Sequence, residues 1–410
     1  MSALKYWVWL AGRQGMNTGG ASKLLEWFGA PEQAYFADPA EYELAGISRA
    51  GRASLEDKSL DGSERILGEC ARLGLRVLTL QDADYPERLR QISDPPCVLY
   101  VRGRLFSFDE EVAIGVVGAR RPTPYGEEMA GRLGMELARS GALVISGIAQ
   151  GLDSAALRGA LKGGGGVVSV LGCGTDVVYP QENRWLYEDV AAAGALISEY
   201  PPGTPPEGYH FPIRNRIISG LSLGVVAVEA AERSGTLITA RLALDQNRDV
   251  FAFPGPADAP MSAGTNRLIQ RGEAKLILSA RDVLCEYEGV YPGRLRRPEP
   301  LTPQEQGERL GEIQSGAQPA EQLPRKEEVD KKPEKAYISL KDYTQKFTDD
   351  ERAILTALGG KILHPDELVE AAQIPARRVL SALTMLQVGG YVAERPGRRF
   401  EAEILLRDEP

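Results

Sequence analysis

Two short runs carry residue types from which chemistry could be built: Gly118-Ala119-Arg120-Arg121-Pro122-Thr123 and Phe211-Pro212-Ile213-Arg214-Asn215-Arg216. Arg120 follows directly on the apolar run Val112-Val117. A guanidinium launched from the end of a buried strand holds a phosphate through two parallel hydrogen bonds, with Gly118 and Arg121 beside it at the same strand end. The rival role for Arg120 is an ion pair at the sheet edge with Glu199 or Glu229. In the second run, Phe211 stands beside Tyr209 and His210. Such rings stack on unpaired bases at roughly 1–3 kcal/mol per base, while Arg214, Asn215 and Arg216 track the backbone. The structural alternative buries Phe211 and uses Arg214 or Arg216 to anchor the loop.

Other glycine-rich turns join these runs if they lie at strand ends: Gln150 within residues 147–151, Gly174 within 172–175, and Ser234-Gly235-Thr236. Where such a turn enters a helix, unpaired N–H groups and the positive end of the helix dipole suit phosphate oxygens. Covalent chemistry is poorly supplied. Asp153, Asp176, Glu199 and Glu229 have no nucleophile and base side by side, and Asp153, just after Gly151-Leu152, suits helix capping. Only His210 and His364 are present, and the four cysteines lack metal-site spacing. No run spells a phosphate-binding G-x-x-x-x-G-K-[ST], and no G-x-G-x-x-G has an acid placed for a ribose. The expectation is a binding protein without cofactor, metal or enzymatic activity.

The elements that must position these residues are legible as apolar runs at Val112-Val117, Ala142-Ser146, Val167-Leu171, Ala195-Ser198, Gly224-Val228, Val250-Phe253 and Lys275-Leu278, with helical patterns between nearly every pair. Alternation of this kind implies right-handed βαβ crossovers and an α/β, Rossmann-like, mainly parallel sheet whose ligands sit beyond the carboxyl ends of the strands. Arg214 is expected to open the helix that follows the Tyr209-Pro212 loop.

At 410 residues the chain exceeds one ordinary core. Residues 1–62 read as a small helical domain of the sterile-alpha-motif or helix-hairpin-helix type. Its glycine turns either meet phosphate or serve packing. Residues 63–288 form the Rossmann-like domain with a lead-in (a helix over Glu64-Leu73, a strand over Leu75-Leu80, then little regular structure), and 289–346 form a Pro- and charge-rich linker expected to be mobile. Residues 347–410 give three helices (Asp349-Leu358, Pro365-Ala372, Pro375-Gln387) and a hairpin turning at Pro396-Gly397, the order of a winged helix. That last segment holds eight Lys and Arg against eleven acids. Its roles as DNA reader and protein contact both stay open. The whole chain carries −9, so any nucleic-acid site must be a local patch. No apolar stretch reaches membrane-spanning length, and no basic run precedes a long apolar one, which favours a soluble cytoplasmic protein.

Six segments together resemble the DNA-processing protein A (DprA, or Smf) family: 118–126, 146–153, 171–180, 198–203, 211–221 and 229–241, within about Tyr85-Leu284. The resemblance implies a homodimer formed through the Rossmann-like domain that binds single-stranded DNA without sequence preference. It also implies loading of the RecA recombinase past single-strand-binding protein in natural transformation. By motif the family's DNA-gripping arginine falls on Arg120, and a second contact region on Phe211, Arg214 and Arg216. Ala119 and Arg121 replace the Ser and Lys of many members. Related phosphoribohydrolases carry a glutamate where this chain has Thr239, which argues against nucleotide hydrolysis. A recombination adaptor with no DNA site of its own is the other alternative.

Overall fold

The computed structural model describes residues 3–15, 19–296, 336–339, 347–359, 361–388, 391–395, 399–402 and 404–407. Most of the expected linker and the Pro396-Gly397 turn lie outside the described residues. The chain divides into two compact units, Met1–Ala317 and Gln318–Pro410.

The first unit opens with five short helices, α1 (Leu4–Ala11), α2 (Gly20–Phe28), α3 (Pro31–Phe36), α4 (Pro39–Leu44) and α5 (Arg49–Leu55), then α6 (Asp61–Leu73). Prolines open α3 and α4, where a missing N–H costs nothing. Trp9, Leu10 and Tyr42 pack in one apolar cluster with Val98 and Tyr100. These last two lie on β2 (Val98–Gly103), which pairs antiparallel with β1 (Arg76–Thr79). A strand at 98–103 was not expected, because Pro95-Pro96 reads as a break and the apolar run behind it is short. The prolines precede the strand, where they disturb no ladder bond. A single turn, α7 (Glu87–Arg90), separates the two strands.

The sheet then builds as the alternation requires. Its strands are β3 (Ala113–Val117), β4 (Leu143–Ser146), β5 (Val167–Leu171), β6 (Ala195–Ser198), β7 (Gly224–Ala227), β8 (Asp249–Ala252) and β9 (Lys275–Leu276), in the order β1-β2-β6-β5-β4-β3-β7-β8-β9. From β6 to β9 all neighbours are parallel, and β2 joins β6 antiparallel. Alternate residues of β3 serve opposite faces. Ile114 and Val116 pack with α8 (Pro124–Arg139), α9 (Leu152–Gly163) and α10 (Arg184–Ala193). Ala113 and Val117 pack with α11 (His210–Leu221), α12 (Gly235–Asp245) and α13 (Ala263–Gln270). The sheet is therefore covered by helices on both faces, the arrangement that lets strands run almost wholly apolar.

Helices α8 and α9 cross backbone to backbone. A Cβ on Gly134 would stand 2.1 Å from the Ala156 oxygen, and one on Gly159 2.0 Å from the Gly131 oxygen. Because α8 follows Arg120 and α9 follows Gln150, this crossing fixes how their loops meet. Gly159→Val is expected to force the helices apart and cost about 1–3 kcal/mol, the usual range for overpacking, seen as a lower midpoint in thermal denaturation with the helical signal retained below it.

All four cysteines are free thiols. Burial pushes Cys70 and Cys173 up to about 11 and Cys97 to about 12, so these three stay protonated at neutral pH, while Cys285 is exposed. A thiol reagent at pH 7.5 should modify Cys285 rapidly and the other three only after unfolding; four fast sites in the native protein would contradict the core as described.

The described helices of the first unit end with α14 (Ala280–Leu284); in the second unit, α15 (Asp349–Leu358), α16 (Pro365–Ala372) and α17 (Ala376–Val388) enclose Ile354, Leu358, Leu368, Val379, Leu383 and Phe400. Thr348 and Glu351 close a capping box at the start of α15. Three strands pair antiparallel in the order β11 (Ile362–Leu363), β13 (Arg399–Ala402), β12 (Val392–Arg395). The helices and hairpin stand where the sequence places them, giving a winged helix. Strand β10 (Ala336–Ser339) pairs parallel with β14 (Ile404–Arg407).

Candidate nucleic-acid interface

The chain leaves β3 in one direction for β4, β5 and β6, and then returns to β7 on the opposite side of β3. Crossovers diverge at this point, so a crevice opens beyond the carboxyl ends of β3 and β7. Its volume is about 460 Å³, and it is lined by Gly118, Ala119, Arg120 and Arg121 after β3, by Phe211, Arg214 and Asn215 of α11, and by Arg233, Ser234, Gly235 and Thr236 at the start of α12. The two runs of the sequence therefore meet at one site.

Ala119, directly before Arg120, is held by backbone from two neighbouring segments. Ala119 N donates to Glu229 O at 3.0 Å, and Leu152 N donates to Ala119 O at 3.2 Å. Gly151, at φ 81°, lets the next loop approach closely, since a Cβ there would lie 2.4 Å from the Ala119 oxygen. The guanidinium is exposed and sits 5.4 Å from the Phe211 ring centroid. Neither expected rival engages it. Glu229, 2% exposed, accepts from Thr123 N at 3.0 Å and from Thr123 Oγ1 at 2.6 Å, and Thr123 in turn caps α8 through Gly126 N. Glu199 is taken by Arg216. Among the described residues Arg120, Arg121 and Arg233 are exposed and make no ion pair.

The second run differs from expectation in three ways. First, α11 begins at His210, four residues earlier than Arg214, because a proline in the first turn forfeits no intrahelical bond. Second, Arg214 is only 4% exposed. Its Nη1 donates to Gly147 O at 3.0 Å and also to Val170 O, so the side chain ties α11 to the ends of β4 and β5 rather than reaching solvent. Third, Arg216 makes a bidentate pair with Glu199, both bonds at 2.7 Å, and its Nε donates to Asp94 O at 2.9 Å. Neither arginine is placed to track a strand in solvent. Asn215 lines the crevice, half-buried.

Phe211 is half-buried. Its ring covers Gly172, where a Cβ would stand 3.0 Å from it, and lies 5.4 Å from the ring of Tyr179. Tyr179 and Tyr209 are 40% and 65% exposed and stand outside the crevice lining. Of the other expected residues, Gln150 is exposed and lies outside the crevice lining, and Gly174 is held against the following loop by Gly174 N donating to Thr204 O. Ser234 caps α12 by accepting from Thr236 N at 3.2 Å. Arg233 and Tyr179 were not among the expected site residues. An arginine directly before a capping serine was the available signal for the first.

Asp153 is the carboxylate on the crevice lining. It does not cap α9 with its side chain, because Gly151 is the N-cap and Asp153 Oδ2 accepts from Gly147 N at 3.1 Å. Burial pushes its pKa up, while the positive charge of Arg214 and backbone N–H groups draw it back. Burial likewise lowers Arg214, with Asp153 opposing. The hydroxyls here, Ser234 and Thr236, bond to each other at 3.0 Å, and Thr239 is 2% exposed. Among the described residues the crevice pairs no nucleophile with a base. It presents exposed arginines and the half-buried ring of Phe211 instead, with Tyr179 beside that ring outside the lining.

Residues 76–288 match the family described as DNA recombination-mediator protein A, and residues 338–398 match the DprA winged helix domain. The chain is 38% identical over 267 residues to DNA processing protein DprA of Bacillus subtilis, covering 65% of this chain and 90% of the relative. It is 32% identical over 411 residues to protein Smf of Synechocystis, covering 97% and 98%. Its structure resembles that of DNA processing protein A from Streptococcus pneumoniae with a TM-score of 0.61 at 32% identity, over 69% of this chain and 97% of the other.

Proposed function

Since the chain belongs to the DNA recombination-mediator protein A (DprA/Smf) family of DNA-processing proteins, we propose that its crevice grips single-stranded DNA without sequence preference. The observation that carries this reading is Arg120, launched from Ala119, whose N–H and C=O are both bonded to neighbouring backbone, exposed over the Phe211 ring, and left without an acidic partner because Glu199 and Glu229 are engaged elsewhere. Phosphates meet Arg120, Arg121 and Arg233 at the rim. Bases have the exposed rings of Tyr179 and Tyr209, with Phe211 behind them, on which any base can stack. A protein of net charge −9 then holds DNA at one patch rather than over its surface.

Family resemblance supports the remaining parts of the proposal: delivery of the strand to RecA, displacement of single-strand-binding protein and a homodimer through the Rossmann-like domain. No chemical step is assigned to the crevice, and the mechanism is one of holding. With three exposed arginines at the rim, affinity for oligo-dT should fall with salt at a slope of about −2, from roughly 0.7 counterions per phosphate neutralised on a single strand. Arg233→Gln should reduce that slope by about 0.7. A slope unaltered by this change would remove Arg233 from the site.

A further inference from the structure

Arg214 poses a question that its hydrogen bonds do not answer. Its Nη1 and Nε are engaged, by Gly147 O and Val170 O and by Asn215 Oδ1, yet Nη2 makes no hydrogen bond among the described residues. Nor does any described carboxylate stand within the 4.0 Å of an ion pair, Asp153 included. A guanidinium 4% exposed with no counter-ion at contact is costly to bury. Arg214 nevertheless lines the crevice together with Arg120 and the start of α12, and both guanidiniums stand at the Phe211 ring, 6.0 and 5.4 Å from its centroid. Arg120 already acts on Arg214 electrostatically, so two positive charges converge there with one nearby acid that burial favours in its neutral form.

We propose that the floor of the crevice is a site for one phosphate monoester, supplied by the phosphorylated end of a DNA strand or by a free nucleotide. The anion would accept from Arg214 Nη2 and from Gly235 N–H, the first of α12, since Thr236 N and Leu237 N already donate to Ser234, with Arg120 and Arg233 closing over it. Two facts favour a terminal phosphate over an internal one. A crevice of about 460 Å³ falls within the range of small-ligand sites, and a continuous strand would have to bend both neighbouring nucleotides down into it. A dianion also compensates a buried cation better than a diester's single charge. The inference rests on the crevice being the DNA site, and it divides that site into a rim that a strand crosses and a floor that an end enters.

The test is competition, by fluorescence anisotropy on the full chain, between labelled oligo-dT and unlabelled oligo-dT carrying a 5′-phosphate, a 3′-phosphate or hydroxyls at both ends, with dTMP and inorganic phosphate as separate arms. One phosphorylated end is expected to bind about tenfold tighter than the hydroxyl form, the scale of one charge-assisted hydrogen bond. If dTMP competes while phosphorylated ends give no advantage, the source is a free nucleotide. Gly235→Asp provides the variant, since a Cβ there meets nothing within 4 Å and an acid at a helix start does not impair folding. It should bring the ratio of phosphorylated to hydroxyl affinity to one. Equal affinity for all three oligonucleotides, with no competition by dTMP or phosphate, overturns the floor site while leaving the rim intact; absence of binding by any oligonucleotide overturns the rim as well.

Discussion

Arg120→Glu is expected to lower affinity for oligo-dT by at least tenfold at low salt, with the thermal midpoint essentially unchanged. The loss follows from removing a charge-assisted contact, about 1.5–3 kcal/mol, and adding repulsion at the same point. Stability is spared because the side chain is exposed and packs over the ring of Phe211, a contact worth about 0.5–1 kcal/mol at such sites. Arg120→Lys should recover only part of the affinity, since an ammonium cannot reproduce the two-pronged grip. A binding isotherm for Arg120→Glu that overlays the unmodified protein would place the DNA elsewhere.

The second large effect concerns folding. Arg214→Leu is expected to destabilise the first unit by about 2–5 kcal/mol, the cost of leaving two buried carbonyls without their donor at about 1–3 kcal/mol each. Two carbonyls, Gly147 O and Val170 O, would lose their donor, and Asp153 would lose the positive charge beside it. Denaturant titration of this variant should show a lower midpoint, whereas Arg120→Glu should not. The sign with pH follows from Asp153, whose folded pKa is raised by burial. Its contribution is complete below the unfolded value and is lost as pH rises through the folded one; removing Arg214, which draws that pKa down, widens the window of loss. The Arg214→Leu penalty should therefore grow between acid and neutral pH, and a penalty independent of pH would separate the two residues.

Much of this was legible because strands buried on both faces leave continuous apolar runs. Seven runs placed β3 to β9 with boundaries within two residues, the last of them an exposed edge strand rather than a buried one, and the glycine-rich loops at their ends located the crevice. The winged helix was legible for a different reason, its three helices being amphipathic and separated by ordinary stop signals. What escaped was set by tertiary partners. Strand β2 hides behind Pro95-Pro96 and gains its place by pairing with β6. Arg214 and Arg216 are adjacent in type and spacing to residues that do line the rim, yet one turn of helix directs Arg214 inward and brings Arg216 to Glu199. Sequence separated by 17 or more residues decides which arginine is paired, and no local pattern encodes it. The same holds for Arg120, whose availability depends on Glu229 being engaged by Thr123.

The proposed seat of the grip, the crevice, is tested most directly by a photochemical map. Oligonucleotides substituted with 5-iodouracil, irradiated on the full chain and analysed by peptide mass spectrometry, should join chiefly to Tyr179, Tyr209 or Phe211. Cross-links confined to the helices of residues 4–55 or to the winged helix, with none at these three rings, would contradict the crevice as the grip.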